Sequence, residues 1–371
     1  MSSKDIIYLD DTSSIVVFRP DEEERSKTCF VIFSSWGGRS LESQVGGTAP
    51  LLKAGYDVVC VQTSLDDWHQ NIYPEGICIL KEYIAKNYLD ARGYGSSMGA
   101  FAVILYADIL NLSSVLALSP QYTISEAFDV RWKRYGQNIK WIYTMDSAVG
   151  YAGELHIVYD PFDLDREHFR RIQENFGRAN VYGHPIKFGS HPTTLYFNDG
   201  GKLVDLLMSF ADGNIVVPLI DKKSNGTYLK GLSRYLLSKN KPVLSRKVAM
   251  RVLELGDERN TTYRLLSNIS YRLQDYDAAV LYARKAADAS DNNTVMRHGH
   301  LEHLASMLRL QGDCEQAKKV IMGVLSEEPE RSSAHLVKSH IMVASDDLGQ
   351  AELDVLKAIE LGGRVIESIG I

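Results

Sequence analysis

Four cysteines in 371 residues, Cys29, Cys60, Cys78 and Cys314, are too few and too scattered for a disulfide scaffold. None forms a C-x-x-C pair, and none stands at ligand-like spacing from a histidine, so no metal site is expected. Three of them sit in apolar runs, which reads as buried free thiols in a reducing compartment. Long apolar runs are missing too: nothing approaches the ~18 residues that a membrane-spanning helix needs. The first ten residues show no apolar stretch behind a basic start, so no signal peptide is expected and a cytoplasmic location follows as the simplest expectation. A basic stripe is also lacking. Lys and Arg number 41 against 47 Asp and Glu, a net charge of −6 that excludes nucleic acid as the expected partner.

What is present is apolar material for more than one core. Hydrophobic residues make up 45% of the chain and charged ones 24%, ordinary for a globular protein but spread over too great a length for one domain. In the first 215 residues, short runs rich in Val, Ile, Tyr and Phe read as strands at 15–18, 29–34, 57–62, 91–95, 115–118, 155–159 and 186–188. Several are apolar without alternation, as strands covered on both faces must be. Between them, 73–87 and 98–111 have helical length and apolar spacing near 3.6. Strand alternating with helix predicts a mostly parallel sheet with helices on both sides, a three-layer α/β domain over 1–215. Polar composition then marks 216–241 as a linker or connecting helix, and 242–371 shows helical periods only.

That last part repeats itself. Ala279 follows Asp275-Tyr276-Asp277, Ala317 follows Asp313-Cys314-Glu315, and Ala351 follows Asp347-Leu348-Gly349, the alanines 38 and 34 residues apart. A small residue recurring near every 34 positions marks paired helices crossing closely. On these residues, about 260 to 362 resembles a short, degenerate tetratricopeptide array of three repeats. The resemblance implies a concave groove and a protein partner, or self-association through the same helices.

The strongest local motif is Gly95-Ser96-Ser97-Met98-Gly99, a G-x-S-x-G placed between an expected strand and an expected helix. The glycines let the chain turn sharply and lift the serine hydroxyl above the sheet. Ser97 has the symmetric glycine flanks and is the expected nucleophile; Ser96 lacks them. On this motif and the strand–helix rhythm, residues 15–212 resemble the α/β-hydrolase family. The resemblance implies acyl transfer through a covalent serine, with no metal and no cofactor, and a chain order of Ser, then Asp or Glu, then His.

Carried onto this chain, the acid belongs just past the strand at 155–159, where Asp160 and Asp163 both stand and Asp165 reads as a helix cap. The base belongs in the loop after the last strand, which selects His191 over His156, His168 and His184. Two N–H donors would hold the oxyanion, one on Met98 and one in the loop Ser35-Trp36-Gly37-Gly38, from Trp36 or Gly37. Many relatives carry His-Gly there, and this chain has Ser34-Ser35 instead. Trp68 and Tyr122 are expected on a substrate-binding rim, and 130–151, with Trp132, Tyr135 and Trp141, is the only room for a lid. The expected function is therefore an esterase or deacylase acting on an acyl ester, such as a small-molecule or saccharide ester. An inactive hydrolase-fold scaffold, or an acyltransferase using the same serine, is the alternative.

Overall fold

The computed structural model describes residues 3–20, 26–125, 128–132, 136, 139–148, 150–177, 180–290 and 294–362. The strands are β1 (Ser3–Leu9), β2 (Ser13–Arg19), β3 (Thr28–Phe33), β4 (Asp57–Thr63), β5 (Asp90–Ser96), β6 (Ser114–Leu118), β7 (Glu154–Tyr159) and β8 (Val181–Pro185). They form one eight-stranded sheet in the order β1-β2-β4-β3-β5-β6-β7-β8. The two pairings of β2 are antiparallel, and every other pair is parallel.

Side-chain alternation sorts the core into two layers. Along β3, Cys29, Val31 and Phe33 join one apolar cluster, while Phe30 and Ile32 join the other. Helices α2 (Glu75–Asn87), α3 (Met98–Leu105) and α4 (Asp165–Phe176) cover the first face. Helices α1 (Thr48–Lys53), α5 (Thr194–Asp199) and α6 (Leu203–Ala211) cover the second. Burial on both faces is why the central strands read as unbroken apolar runs.

The two outermost strands differ from expectation. β1 carries exposed residues at most positions, and its apolar run, Ile6-Ile7-Tyr8-Leu9, is not among the expected strands. The last strand is 181–185, not 186–188: Val-Tyr-Gly-His-Pro is half polar because an edge strand needs no double burial. Residues 186–188 instead form the start of the turn that leads to His191.

Beyond the sheet the described residues are helical: α7 (Gly226–Ser238), α8 (Pro242–Glu254), α9 (Asn260–Arg272), α10 (Tyr276–Asp288), α11 (Thr294–Gln311), α12 (Cys314–Glu327), α13 (Ser332–Ala344) and α14 (Leu348–Glu360). They pair as four hairpins, and the same turn closes each. A residue with positive φ, Asn240, Gln274, Gly312 or Asp346, follows the first helix, at separations of 34, 38 and 34. The next N–H then reaches back five residues, from Lys241, Asp275, Asp313 and Asp347, each bond 2.9 Å long. In the last three hairpins the aspartate side chain also caps the second helix, accepting from the N–H three residues on.

Small residues permit the close crossings. Ser245, Ala279, Ala317 and Ala351 are buried on the second helices, and Ser233, Ser267, Ala305 and Ser339 on the first. The repeat thus holds one more hairpin than the alanines revealed, because Ser245 occupies the alanine position. The array resembles tetratricopeptide repeats in this geometry. The chain divides into two compact units between Tyr228 and Leu229, within α7. Among the described residues no helix is long and apolar enough to cross a membrane.

Candidate active site

Ser97 sits at the joint between β5 and α3 with φ 51° and ψ −116°, a conformation that costs a non-glycine residue on the order of 1–3 kcal/mol. The neighbouring glycines are sterically required. A Cβ on Gly95 would lie 2.3 Å from the carbonyl oxygen of Gly99, and one on Gly99 would lie 2.3 Å from that of Phe33. Strand and helix therefore touch backbone to backbone, and the serine is thrown out at the turn. Its own N–H is tied to Leu118 O at 2.9 Å, which anchors the turn to β6.

The serine meets His191. Ser97 Oγ and His191 Nε2 are 2.9 Å apart, and His191 Nδ1 lies 2.9 and 3.0 Å from the two carboxylate oxygens of Asp165. The acid facing the histidine is thus neither Asp160 nor Asp163. Asp160 is buried but turns away from the His191 ring, accepting the N–H of Phe162 in its own loop and those of Ser190 and Phe188 in the loop after β8, at 2.9, 2.9 and 3.2 Å. It shapes the segment that presents His191, and burial pushes its pKa up. Asp163 is partly exposed and bonds to Leu164 N and to Arg131 Nη1. Asp165 is the first residue of α4; Leu164 takes the cap position and makes no side-chain cap bond. The Asp165 side chain, 1% exposed, points at the histidine instead of capping its helix.

An ion network holds that carboxylate. Arg131 contacts Asp165 at 3.2 Å, Asp163 at 3.2 Å and the buried Asp129 at 2.9 Å. Burial raises the pKa of Asp165, but the charge and hydrogen bond of His191, the Arg131 charge and a bond from Ser119 outweigh it, so the net shift is downward. Asp129 in turn takes a bond from His168 Nε2 at 3.0 Å. The proton must be on that nitrogen, because His168 Nδ1 accepts the N–H of Tyr122 at 2.9 Å. His168 therefore works as a neutral strut.

Gln121 is not among the donors expected to face the serine. This fully buried residue follows β6, and its Oε1 lies 3.3 Å from the indole nitrogen of Trp68. An indole N–H only donates, so the amide oxygen must face Trp68 and the amide nitrogen must face Ser97 Oγ, 3.4 Å away. No motif carries that signal, since Gln121 is 24 residues from the serine. Trp68 is itself fully buried, so it backs Gln121 from within and lines no open rim. Tyr122 is part-buried, with its hydroxyl donating to Asp146.

The loop after β3 is pinned from several sides. His69 Nε2 bonds Ser34 O at 2.9 Å, and the Ser35 hydroxyl donates to Ser96 O at 3.0 Å. The N–H of Gly37 is committed to Asp66 Oδ1 at 2.8 Å, which removes Gly37 as an oxyanion donor. Met98 opens α3, where the helix supplies no partner for its N–H. A short 3₁₀ turn, Val130–Trp132, sets the Trp132 ring 5.9 Å from His191, and Trp36 lies 6.4 Å from Trp132. Trp141 packs on Phe101, and Tyr135 lies outside the described residues. Among the described residues no group of three His, Cys, Asp or Glu side chains is arranged to hold a metal ion.

No protein-family model and no curated protein matches the chain. Among solved structures it is similar to YrrB, described as a TPR protein with an unusual peptide-binding site, at 17% identity and a TM-score of 0.33, over 38% of this chain and 71% of that one. It is also similar to MamA from Desulfovibrio magneticus RS-1, at 15% identity and a TM-score of 0.32, over 39% and 77% of the two chains. Likenesses this weak bear on neither the activity nor the partner of this protein.

Proposed function

We propose that the first unit is a serine acyl hydrolase of α/β-hydrolase type, and that the helical unit holds a protein segment. The single observation that carries the first reading is the unbroken relay from Ser97 through His191 to Asp165, built on a strained turn. A serine hydroxyl is a weak nucleophile until a base takes its proton. His191 Nε2 stands ready to do so, while Asp165 orients the ring and favours the imidazolium that forms. The elements supplying the three residues follow in the chain order Ser, Asp, His.

In the forward step Ser97 Oγ bonds to the acyl carbon and its proton passes to His191. The tetrahedral oxyanion is held by the Met98 N–H and by the Gln121 amide. The separation of 3.4 Å is long for a bond to the hydroxyl itself, and leaves that donor for an oxygen one atom further out. His191 then protonates the departing alcohol, and water, activated by the same nitrogen, releases the acid. An acyltransferase would differ only in admitting another alcohol in place of water. Trp132 and Trp36 supply an aromatic wall next to His191, suited to a sugar ring or an acyl chain.

The test is labelling with a fluorophosphonate probe. Wild type is expected to label, and Ser97→Ala and His191→Ala are expected not to. A folded wild type that does not label would leave the first unit as a scaffold. Four helical hairpins closed by one repeated turn support the second reading, since stacked pairs build the concave surfaces that hold protein segments.

A further inference from the structure

We propose that the site at Ser97 admits short acyl groups only, acetyl foremost, and that Trp68 sets this limit. The proposal rests on the reading of the first unit as a serine acyl hydrolase, and names the class of acyl group it takes. Two of the oxygens on the reacting carbon already have their places. The leaving oxygen must stand against His191 Nε2, which returns a proton to it, and the carbonyl oxygen against the Met98 N–H and the Gln121 amide. These two sides differ in exposure. The His191 side chain is 10% exposed, and Trp132 and Trp36 beside it are part-buried. Ser97 is 6% exposed, Met98 1%, and Gln121 and Trp68 not at all. The alcohol therefore lies on the open side, along Trp132, whose ring centre is 5.9 Å from that of His191, and the acyl group points inward.

Inward it meets packed indole. A chain of several methylenes needs a cleft lined by walls that water can reach, and the walls here are closed. Trp68 bonds Gln121 Oε1 through its indole nitrogen at 3.3 Å and meets Trp132 edge-on at 5.4 Å, so it spans the space from the oxyanion donor to the ring beside the base. Its backbone is strained to do so. Trp68 and His69, two successive residues in the loop after β4, have φ of 53° and 56°. Large side chains avoid that region, and such strain persists only where the surroundings enforce it. The enforcement is visible: Asp67 accepts the N–H groups of His69 and Asn71 at 3.0 and 2.9 Å, the Gln70 amide donates to Trp68 O at 3.3 Å, and the Tyr106 hydroxyl donates to His69 O at 2.9 Å. A ring anchored in this way does not step aside for a longer chain, which makes it a size limit and not a yielding lid.

The experiment measures kcat/KM of the full chain on nitrophenyl acetate, butyrate and octanoate, which share one leaving group and differ only in the acyl chain. Butyrate is expected at least about tenfold below acetate, and octanoate at least about a hundredfold below it. Trp68→Ala is expected to slow acetate turnover, because Gln121 loses the bond that orients it, yet to raise the butyrate-to-acetate ratio at least about tenfold. Trp68→Leu, a milder truncation, is expected to move the ratio the same way and keeps the test available should the alanine variant fail to fold by circular dichroism. Equal losses on all three esters, with the ratio unchanged, would make Trp68 a packing residue and overturn its assignment. A wild type that turns over octanoate as fast as acetate overturns the proposal and leaves the hydrolase reading intact. Folded wild type that turns over no ester and takes no fluorophosphonate label overturns that reading, and the proposal with it.

Discussion

The indole nitrogen of Trp68 lies 3.3 Å from Gln121 Oε1, and this one bond decides which end of the Gln121 amide faces Ser97. Both residues are fully buried, so neither can turn without breaking the packing around it. A side-chain donor is thereby aimed at the Ser97 hydroxyl by a residue that has no exposed surface of its own.

Gln121→Ala is accordingly expected to lower kcat for an ester substrate by about 10²–10³, the usual effect of losing one oxyanion donor. KM should change little. Trp68→Phe removes the donor that fixes the amide and should give a smaller loss in the same direction, with the ring volume nearly kept. Steady-state kinetics on a chromogenic short-chain ester reads both; a change in KM alone would assign Gln121 to ground-state binding.

Asp165→Asn should reduce kcat by about 10⁴, because an amide no longer favours the imidazolium or the required tautomer. Asp163→Asn should stay near wild type. Asp160→Asn should act on stability, since the carboxylate gathers two N–H groups of the loop holding His191, those of Phe188 and Ser190, and one of its own loop, that of Phe162. Comparing turnover with the urea midpoint for the three variants separates these roles, and equal activity losses at Asp163 and Asp165 would refute the assignment.

Gly95→Ala and Gly99→Ala should each destabilise the first unit by at least about 1–3 kcal/mol, as overpacking does. Each new Cβ would meet backbone, which cannot step aside as a flexible side chain can. Thermal unfolding followed by circular dichroism measures the loss.

Stability should fall on the acid side. Burial raises the pKa of Asp129, but the bonds from His168 and Arg131 and the Arg131 charge outweigh it, so its folded value lies below the usual carboxylate range; that of Asp165 is also lowered. The unfolded chain therefore binds more protons near their unfolded pKa of about 4. The stabilisation is complete above that pH and is lost as pH drops toward the folded values. Asp129→Asn should cost stability at pH 7 and progressively less below about pH 4. A cost independent of pH, in urea titrations at both ends, would assign the effect to packing.

In the helical unit, Asp313→Ala should cost about 1 kcal/mol through the lost cap of α12. Ala317→Leu should cost about 1–3 kcal/mol, because its position is fully buried where two helices cross. Similar losses at Asp347 and Ala351 would establish the hairpins as equivalent.

Much of this was readable along the chain. Central strands buried on both faces produce continuous apolar runs, so β2 to β7 are legible, as is the turn at Ser97 with its glycines. Edge strands answer to no such demand: β8 is half polar, and the short run Ile6-Ile7-Tyr8-Leu9 of β1, exposed at both ends, went unread. The helical repeat is legible through its alanines and fails at Ser245, where a serine fills the same space by bonding to Ser233.

Residue order alone thus determined the turn at Ser97, whose glycines are immediate neighbours, and showed the loop of His191 and the periodic small residues by their place and spacing along the chain. The acid at Asp165 and the amide of Gln121 were decided only by the tertiary structure. Three aspartates within six residues look alike in sequence, and only the path of the chain after β7 determines which one comes within 3 Å of His191.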